Sequence, residues 1–200
     1  MLAKKLTVEA KELLDPASTQ WAQVPAEIMA MGEAPLAHQG SRYIRTAWSD
    51  RPIGRVRSLS VKSAHNNKEV FFLLEWADAT KNDDYVGRDF PDGAGILFPF
   101  KGDAPLNTMG SEDQPVNAWF WRADFEDGAQ NNTARGQWKA STWRVVFARP
   151  LAVAEQKDET VQLEMGKPVK VAFAIWEGSS GERAGIKSFS KEWREFTLEG

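Results

Sequence analysis

Short β-rich runs separated by turn residues fill most of this 200-residue chain. Between Val56 and Trp76, two such runs flank a polar Ala-His-Asn-Asn centre, which indicates an antiparallel hairpin and predicts that His65 lies at an exposed turn. Further runs occupy Gly95–Phe100, Val116–Asp124, Ser141–Pro150, Val169–Glu177 and Arg194–Leu198. Many short strands of this kind are typical of sandwiches and barrels, so we expect an all-β fold, an antiparallel β-sandwich.

Helices and linkers are sparse in the sequence. Only residues 7–24 contain a turn or two of helix, ahead of Trp21. Two long polar connections, Lys101–Pro115 and Gly178–Gly185, separate strands, and long loops on a rigid β scaffold commonly carry the functional site. No Pro/Ser-rich linker or charge block divides the chain, so we expect residues 1–200 to form a single domain.

The sequence VNAWFWRAD, which begins at Val116, alternates between two faces of a predicted strand. One face would carry Val116, Ala118, Phe120 and Arg122, and the other would carry Asn117, Trp119, Trp121 and Ala123. Because both faces include large apolar side chains, we expect apolar material on both sides of this strand.

The absence of cysteine excludes several kinds of site. Disulfides, Fe–S ligation, thiolate zinc sites and the CxxCH attachment of c-type haem all require cysteine. The two histidines, His38 and His65, cannot form a multi-histidine metal cage within one chain. The nine tryptophans suggest a core or a cavity that is lined by large flat side chains.

Charge and hydropathy narrow the choice of partners. A formal net charge of −3 and a pI near 5.5 argue against nucleic acid, whose recognition requires clustered Lys and Arg. No apolar stretch approaches the roughly 20 residues that span a bilayer, so we expect no membrane span. Residues Met1–Leu6 lack the apolar core of a secretory signal, so we expect no signal peptide in the sequence.

Enzymatic chemistry by this chain alone is not expected. Carboxylates are numerous in turn-like positions, but their spacing matches no catalytic signature, and GxSxG, P-loop and HExxH motifs are absent. The remaining candidates are Met109 and Lys187, whose ligand atoms lie in the long loops. On residue type alone, such a methionine more often fills a packing gap and such a lysine is usually a solvated charge.

Three longer blocks place these two residues in a specific context. They are GRDFPDGAGILFPF at Gly87–Phe100, MGSEDQPVNAWFWRADF at Met109–Phe125 and VAFAIWEGSSGERAGIKSFSKEWREF at Val171–Phe196. In these blocks the chain resembles the haem b subunit, the γ subunit, of the type II molybdenum enzymes of the dimethyl-sulfoxide-reductase family. Relatives in that family include ethylbenzene dehydrogenase, dimethylsulfide dehydrogenase, selenate reductase and chlorate reductase. The resemblance extends over most of the chain, from LLDPASTQW onward.

The resemblance implies a β-sandwich that binds one non-covalent haem b, with iron held axially by a methionine and a lysine. These ligands fall on Met109 and, most naturally, on Lys187, while Lys191 is the rival for the lysine position. Lys187 is preferred because it closes a glycine-bearing loop, where the backbone can approach a flat ligand closely. An ordinary lysine has a pKa of about 10.4, so a neutral amine at pH 7 costs roughly 4–5 kcal/mol and requires burial that lowers the pKa.

Other side chains are candidates for the surroundings of the haem. The macrocycle could be lined by Trp119, Trp121, Phe120, Phe98, Phe173 and Trp176, although core packing explains these aromatic residues equally well. On charge alone, the candidate partners of the propionates are Arg122, Lys101 and Arg183.

The function that the resemblance implies is electron transfer. The chain would be a b-type cytochrome subunit that passes electrons between the Fe–S β subunit of a periplasmic molybdenum oxidoreductase and an external carrier such as a soluble c-type cytochrome. Molybdenum chemistry would occur in a separate α subunit, and the signal segment of a periplasmic protein would have been removed or left out of this sequence. The alternative hypothesis is a carbohydrate-binding module, in which exposed tryptophan rings would stack on sugars.

Overall fold

The computed structural model describes residues 1–86, 89–122, 132–154 and 159–200. Within these ranges the chain forms eleven β-strands and two short α-helices. The strands are β1 (Leu2–Lys5), β2 (Glu27–Glu33), β3 (Ser58–His65), β4 (Glu69–Ala77), β5 (Gly93–Pro99), β6 (Val116–Trp121), β7 (Thr133–Trp138), β8 (Thr142–Pro150), β9 (Val169–Trp176), β10 (Ser188–Ser190) and β11 (Arg194–Leu198). The helices are α1 (Ala10–Leu13) and α2 (Arg42–Ala47), and 3₁₀ turns span Thr19–Gln23, Leu36–His38 and Gly178–Ser180. None of the described helices is long and apolar enough to cross a membrane.

Strand pairing divides the strands into two layers. One layer has the order β7-β8-β4-β3-β2, and the other has β6, β5 and β9 side by side, with β10 and β11 paired to β9. β10 also pairs with β2, and β1 pairs with both β11 and β3, so these two strands connect the layers. The pairings of β1 are parallel, and the other pairings in the described part of the chain are antiparallel. The predicted all-β sandwich is confirmed, with β1 as a parallel exception.

Aromatic rings from both layers meet in the core between them. Phe72 of β4 contacts Phe98 of β5 and Trp119 of β6, with ring centroids 6.2 and 5.9 Å apart. Phe173 of β9 lies 6.4 Å from the same ring. Edge-to-face contacts of this kind add specific geometry to the burial of apolar area. The inward-facing side chains of the two layers thus pack against each other and form the core.

A second apolar cluster covers the opposite face of β4. Phe71 and Leu73 of β4 pack there against Leu13 and Trp21 from the N-terminal segment. The Trp21 indole donates a hydrogen bond to the Leu13 carbonyl at 3.2 Å. This cover explains why β4 is apolar at nearly every position, since both of its faces are buried.

The predicted hairpin is present as β3 and β4, but the expectation that His65 lies at an exposed turn is wrong. His65 is the last residue of β3 and is fully buried. Its Nε2 lies 2.9 Å from the Glu199 carbonyl, and its Nδ1 accepts a hydrogen bond from the Asn67 amide. Glu199, directly after β11, contacts the imidazole, and Asn67, with a φ of 68°, makes the turn instead.

Four strands were not anticipated from the sequence. β1 and β10 are only four and three residues long, and β7 is an edge strand that is mostly exposed. β2 has the sequence EIMAMGE, in which Met29 and Met31 alone are buried. Neither β-branched nor aromatic residues dominate these segments, so their strand character comes from pairing with neighbours.

Acidification should destabilise the fold through His65. Burial lowers the pKa of this imidazole below its ordinary 6.5, so the unfolded chain takes up the proton at a higher pH than the folded chain. Stability is therefore complete above pH 6.5 and is lost as the pH falls from 6.5 towards the folded pKa. We expect the free energy of unfolding, measured with urea at pH 7 and pH 5, to fall more for the wild type than for His65→Gln. Equal losses in the two proteins would contradict this assignment.

Candidate functional site

A cavity of about 370 Å³ lies on the outer face of the β5-β6-β9 layer. Val116, Ala118 and Phe120 of β6 line it, while the intervening residues of this strand face the aromatic core. The connection from β5 to β6, the loop from β9 to β10 and the 3₁₀ turn that follows β2 supply the remaining walls. The two long loops predicted to carry the site therefore meet over one face of the sheet.

Met109 reaches this cavity from a strained turn. Its φ is 60°, in the left-handed region that favours glycine, and Gly110 follows with a φ of 96°. The turn is closed by hydrogen bonds from the Met109 amide to the Leu106 carbonyl at 3.2 Å and from the Gly110 amide to the Pro105 carbonyl at 2.9 Å. Backbone strain at a non-glycine residue costs of order 1–3 kcal/mol and is concentrated at functional sites.

Lys187 reaches the same cavity from the other loop and is almost entirely buried, with 1% of its surface exposed. Its Nζ donates a hydrogen bond to the Asn107 carbonyl at 2.9 Å. Burial alone lowers the pKa of this amine to about 8, and no carboxylate within the described ranges offsets the effect. A buried lysine without a carboxylate is rare, because desolvation of its charge is costly.

The loop that carries Lys187 is fixed by hydrogen bonds at several points. The Glu182 carboxylate accepts hydrogen bonds from the Gly54 amide at 2.7 Å and from the Arg55 amide at 3.1 Å. The Trp176 indole donates to the Ala184 carbonyl at 3.0 Å. At the end of the loop, the Lys187 carbonyl accepts from Ala34 at 3.1 Å. The amine is therefore presented by a loop anchored to three separate segments.

His38 also lines the cavity, and the sequence reasoning missed it. This exposed residue ends a 3₁₀ turn, and its Nδ1 lies 2.8 Å from the Asn107 side-chain amide. The side-chain amide of the neighbouring Gln39 donates a hydrogen bond to the Gly185 carbonyl at 3.0 Å. No local motif marks His38, because its position depends on contacts with segments far along the chain.

Among the six aromatic residues considered as cavity walls, only Phe120 lines the cavity. Trp176 packs behind it, with the two ring centroids 6.2 Å apart. The remaining four face the core between the layers, and they are Trp119, Trp121, Phe98 and Phe173. The structure therefore does not bring Trp119 or Trp121 to the cavity, because they have the opposite parity to Phe120 along β6.

The guanidinium groups expected to hold propionates lie elsewhere. Arg122 stacks on the Trp121 ring, with its Cζ 4.4 Å from the ring centroid, and forms an ion pair with Asp83 at 2.7 Å. Arg183 stacks on the Phe90 ring at 4.5 Å. Neither these two side chains nor the exposed Lys101 is among the residues that line the cavity.

Lys191, the rival of Lys187, faces a different space. It is exposed and lines a second cavity of about 540 Å³ with Lys170 and Trp193. Asn107 and His38 line both cavities. Lys187 is thus the lysine that shares a cavity with Met109.

Tryptophan exposure bears on the carbohydrate alternative. All nine tryptophans lie in the described part of the chain, and none of them is exposed. A row of solvent-facing rings for stacking on sugars, which that hypothesis requires, is therefore not present among them.

Solved structures with a similar fold are carbohydrate-binding modules. A family 9 module from Caldicellulosiruptor kristjanssonii in complex with glucose has a TM-score of 0.60 at 11% identity, and the match covers 100% of this chain and 95% of that one. The same module in complex with cellotriose has a TM-score of 0.55 at 12% identity, with 100% and 93% covered. At this identity the likeness shows the β-sandwich fold alone.

Sequence relatives are of a different kind. Dimethylsulfide dehydrogenase subunit gamma of Rhodovulum sulfidophilum is 30% identical, over 90% of this chain and 73% of that protein. Chlorate reductase subunit gamma of Ideonella dechloratans is 28% identical, over 96% and 82%. A Haloferax mediterranei protein that carries the name of a respiratory nitrate reductase haem subunit, ORF7, is 32% identical, over 90% and 67%.

The family model of ethylbenzene dehydrogenase matches residues 18–131 and 125–188, which is most of the chain. Together with the three relatives, this match confirms the resemblance that the long sequence blocks indicated. The chain therefore belongs to the ethylbenzene dehydrogenase family, that of the γ haem subunits of type II molybdenum enzymes of the dimethyl-sulfoxide-reductase family.

Proposed function

We propose that this chain is a haem b electron-transfer subunit and that Met109 and Lys187 are the axial ligands of its iron. The observation that carries the proposal is that these two side chains, from separate loops, line one cavity. A thioether and a neutral amine are both ligands for iron, and the cavity places them beside an apolar sheet face. Residues 1–200 would together form a single haem-binding unit.

The residues of the cavity suit a flat apolar cofactor. Val116, Ala118 and Phe120 provide an apolar wall, and loops rather than strands close the opposite side. The buried amine of Lys187 has a carbonyl as its hydrogen-bond partner, and coordination of a metal would replace that contact. Met109 is held in a left-handed backbone conformation that a residue with a side chain does not favour. Such conformations are common at ligand-binding sites.

Burial prepares Lys187 for ligation. A metal–nitrogen bond requires the free amine, so the proton must leave before the bond forms. With its pKa lowered to about 8, deprotonation at pH 7 costs about 1.4 kcal/mol, compared with nearly 5 kcal/mol for an ordinary lysine. The fold therefore removes most of the penalty that an exposed lysine would carry.

A haem bound by these two ligands supplies one-electron transfer. With Met109 and Lys187 both holding the iron, oxygen and substrate would have no site on it, which would favour a carrier rather than a catalyst. The buried amine and the thioether thus favour electron transfer in two ways, because they bind the iron and because they exclude oxygen and substrate from it.

The partners are inferred from the family. Two of the relatives are named as gamma subunits, of dimethylsulfide dehydrogenase and of chlorate reductase. By analogy, this chain would exchange electrons with an Fe–S β subunit, beside a molybdenum α subunit, and with a soluble carrier such as a c-type cytochrome. The complex would be periplasmic.

The absorption spectrum tests the haem and its ligands. We expect purified protein to show a Soret band with sharp α and β bands after reduction, and Met109→Ala or Lys187→Ala to lose this low-spin spectrum. Lys191→Ala and His38→Ala are the matched controls, because Lys191 faces the second cavity and His38 is an alternative nitrogen donor at the first. Conversion of the spectrum by either control alone would show that the ligand assignment is wrong. Folded protein that stays colourless after addition of haem would refute the function.

Acid should release the lysine ligand. Protons compete with iron for the Lys187 amine, so lowering the pH should convert the spectrum from low spin towards high spin. A spectrophotometric titration from pH 8 to pH 4 measures this conversion. A spectrum that stays unchanged over that range would argue against a lysine ligand.

Without haem, the same lysine should destabilise the fold. The pKa of Lys187 falls from 10.5 to about 8 on folding, which corresponds to a loss of up to about 3 kcal/mol at neutral pH. Between these two pKa values the unfolded chain binds the extra proton, so stability rises as the pH increases through this window. We expect urea denaturation at pH 7 to show haem-free Lys187→Met to be more stable than wild type, with a smaller gain at pH 9.5. Lys191→Met is the control and should change little, whereas a less stable Lys187→Met protein would contradict the argument.

A further inference from the structure

Three buried carboxylates meet where three strand ends come together. Asp78 directly follows β4, Asp92 directly precedes β5 and Glu177 directly follows β9. Each offers an oxygen, and these oxygens all lie within 4.8 Å of one another. The three residues are 6%, 0% and 7% exposed.

No cation within the described ranges neutralises this cluster. The charges that act on Asp78 and Asp92 are those of the other carboxylates. Lys81 and Arg122, which lie nearby in the chain or in space, form ion pairs with Asp83 instead. Three carboxylates of like charge are therefore held together by the fold without a counterion from the protein.

Hydrogen bonds reach all four carboxylate oxygens of two members. Asp92 accepts from the amides of Asn82 and Gly178, at 2.9 and 2.8 Å, and from the Trp143 indole at 2.9 Å. Glu177 caps the 3₁₀ turn that follows it by accepting from two backbone amides. These bonds fix the orientation of both carboxylates.

Asp78 is different, because one of its oxygens has no partner. Its Oδ1 accepts hydrogen bonds from the Thr80 amide and hydroxyl, at 3.0 and 3.2 Å. Its Oδ2 is buried and makes no hydrogen bond within the described part of the chain. A cavity of about 170 Å³ opens beside Asp78 and Glu177, and the hydroxyl-bearing Thr80 and Ser179 also line it, as does Arg55, whose side chain is exposed. A buried carboxylate oxygen without a partner is unfavourable, so this position calls for a ligand.

We propose that Asp78, Asp92 and Glu177 bind a divalent cation, and that the ion is Ca²⁺. The donors are oxygens alone, which suit a hard cation, whereas Zn²⁺ and Cu²⁺ prefer nitrogen and sulfur. Ca²⁺ accepts carboxylates, hydroxyls, carbonyls and water in irregular arrangements. The cation supplies the missing partner of Asp78 Oδ2 and offsets two of the three negative charges of the cluster.

The position of the cluster gives the cation a structural role. It ties together the ends of β4, β5 and β9, and Glu177 begins the loop that ends at Lys187. The cation therefore stabilises the first residues of the loop that carries Lys187. This proposal does not depend on haem binding, because none of the three carboxylates lines the Met109 and Lys187 cavity.

The competing explanation is a shared proton. Burial, together with the charges of Asp92 and Glu177, raises the pKa of Asp78 to about 6, so protonation of Asp78 would also relieve the repulsion. The two explanations make opposite predictions for metal binding at neutral pH.

Terbium luminescence and thermal unfolding distinguish them. The Trp143 indole contacts Asp92, so Tb³⁺ in the site should emit on tryptophan excitation. We expect the full chain, freed of metal with EDTA, to bind one Tb³⁺ at pH 7, to release it on addition of Ca²⁺, and to unfold several degrees higher in Ca²⁺ than in EDTA. A wild type that shows neither saturable Tb³⁺ emission nor a Ca²⁺-dependent shift would overturn the proposal in favour of the proton.

Variants separate binding from folding. Asp78→Asn should weaken Ca²⁺ binding by an order of magnitude, yet in EDTA it should unfold at the same temperature as wild type or higher, because it removes one charge from the cluster. Asp84→Asn is the matched control, since Asp84 is an exposed carboxylate in the same loop, and it should keep wild-type binding. Equal Ca²⁺ affinity in Asp78→Asn and wild type would place the ion elsewhere and contradict the proposal.

Discussion

The amine of Lys187 is buried against the outer face of a β-layer with a backbone carbonyl as its partner, and the rest of the candidate site depends on how that burial is maintained. Desolvation works against the charged form, so the surrounding loops must be held in place by other interactions. Two hydrogen bonds provide this support. The Glu182 carboxylate connects the loop to the Gly54 amide, and the Trp176 indole at the end of β9 connects to the Ala184 carbonyl within the loop. The stability of the sandwich core thus supports an unfavourable group at its surface, as is common where a residue is kept for function.

The two faces of the β5-β6-β9 layer have different roles: one packs in the core and the other supports the loops of the cavity. The inner face carries Trp119 and Phe173 into the aromatic core, which makes the layer rigid. The outer face carries Phe120 and Trp176 and receives the two long loops. This division explains how a fold shared with carbohydrate-binding modules serves a family of haem subunits, because the fold provides only the platform.

One loop connects the carboxylate cluster with the cavity that holds Lys187. It begins at Glu177, in the carboxylate cluster, and ends at Lys187, in the cavity. A cation would offset the negative charge of the carboxylates, and a metal that took the place of the proton on the Lys187 amine would remove the buried charge there. The conformation of this loop would therefore respond to ligands at both of its ends.

Sequence patterns alone determined the class of fold and most of its strands. Alternation and turn residues identified the β3-β4 hairpin and the strands from β5 to β11 other than β7 and β10. Composition excluded cysteine-based sites, and the long blocks with their glycines and tryptophans identified the family. Met109 and Lys187 entered through that resemblance, since nothing in their local spacing marks a ligand.

Only the tertiary structure decided which face of each strand is the core and which residues are covered. Alternation shows that Trp119 and Phe120 point to opposite sides of β6, but not which side holds the cavity. Lys187 and Lys191 are four positions apart and so have the same parity, which leaves the pattern unable to separate them. His65 is the last residue of β3, and the polar residues that follow it in the sequence make it look like part of the turn. Covering segments from elsewhere in the chain bury Lys187 and His65 and leave Lys191 exposed. Burial depends on contacts between segments distant in sequence, and a local pattern carries no information about those contacts.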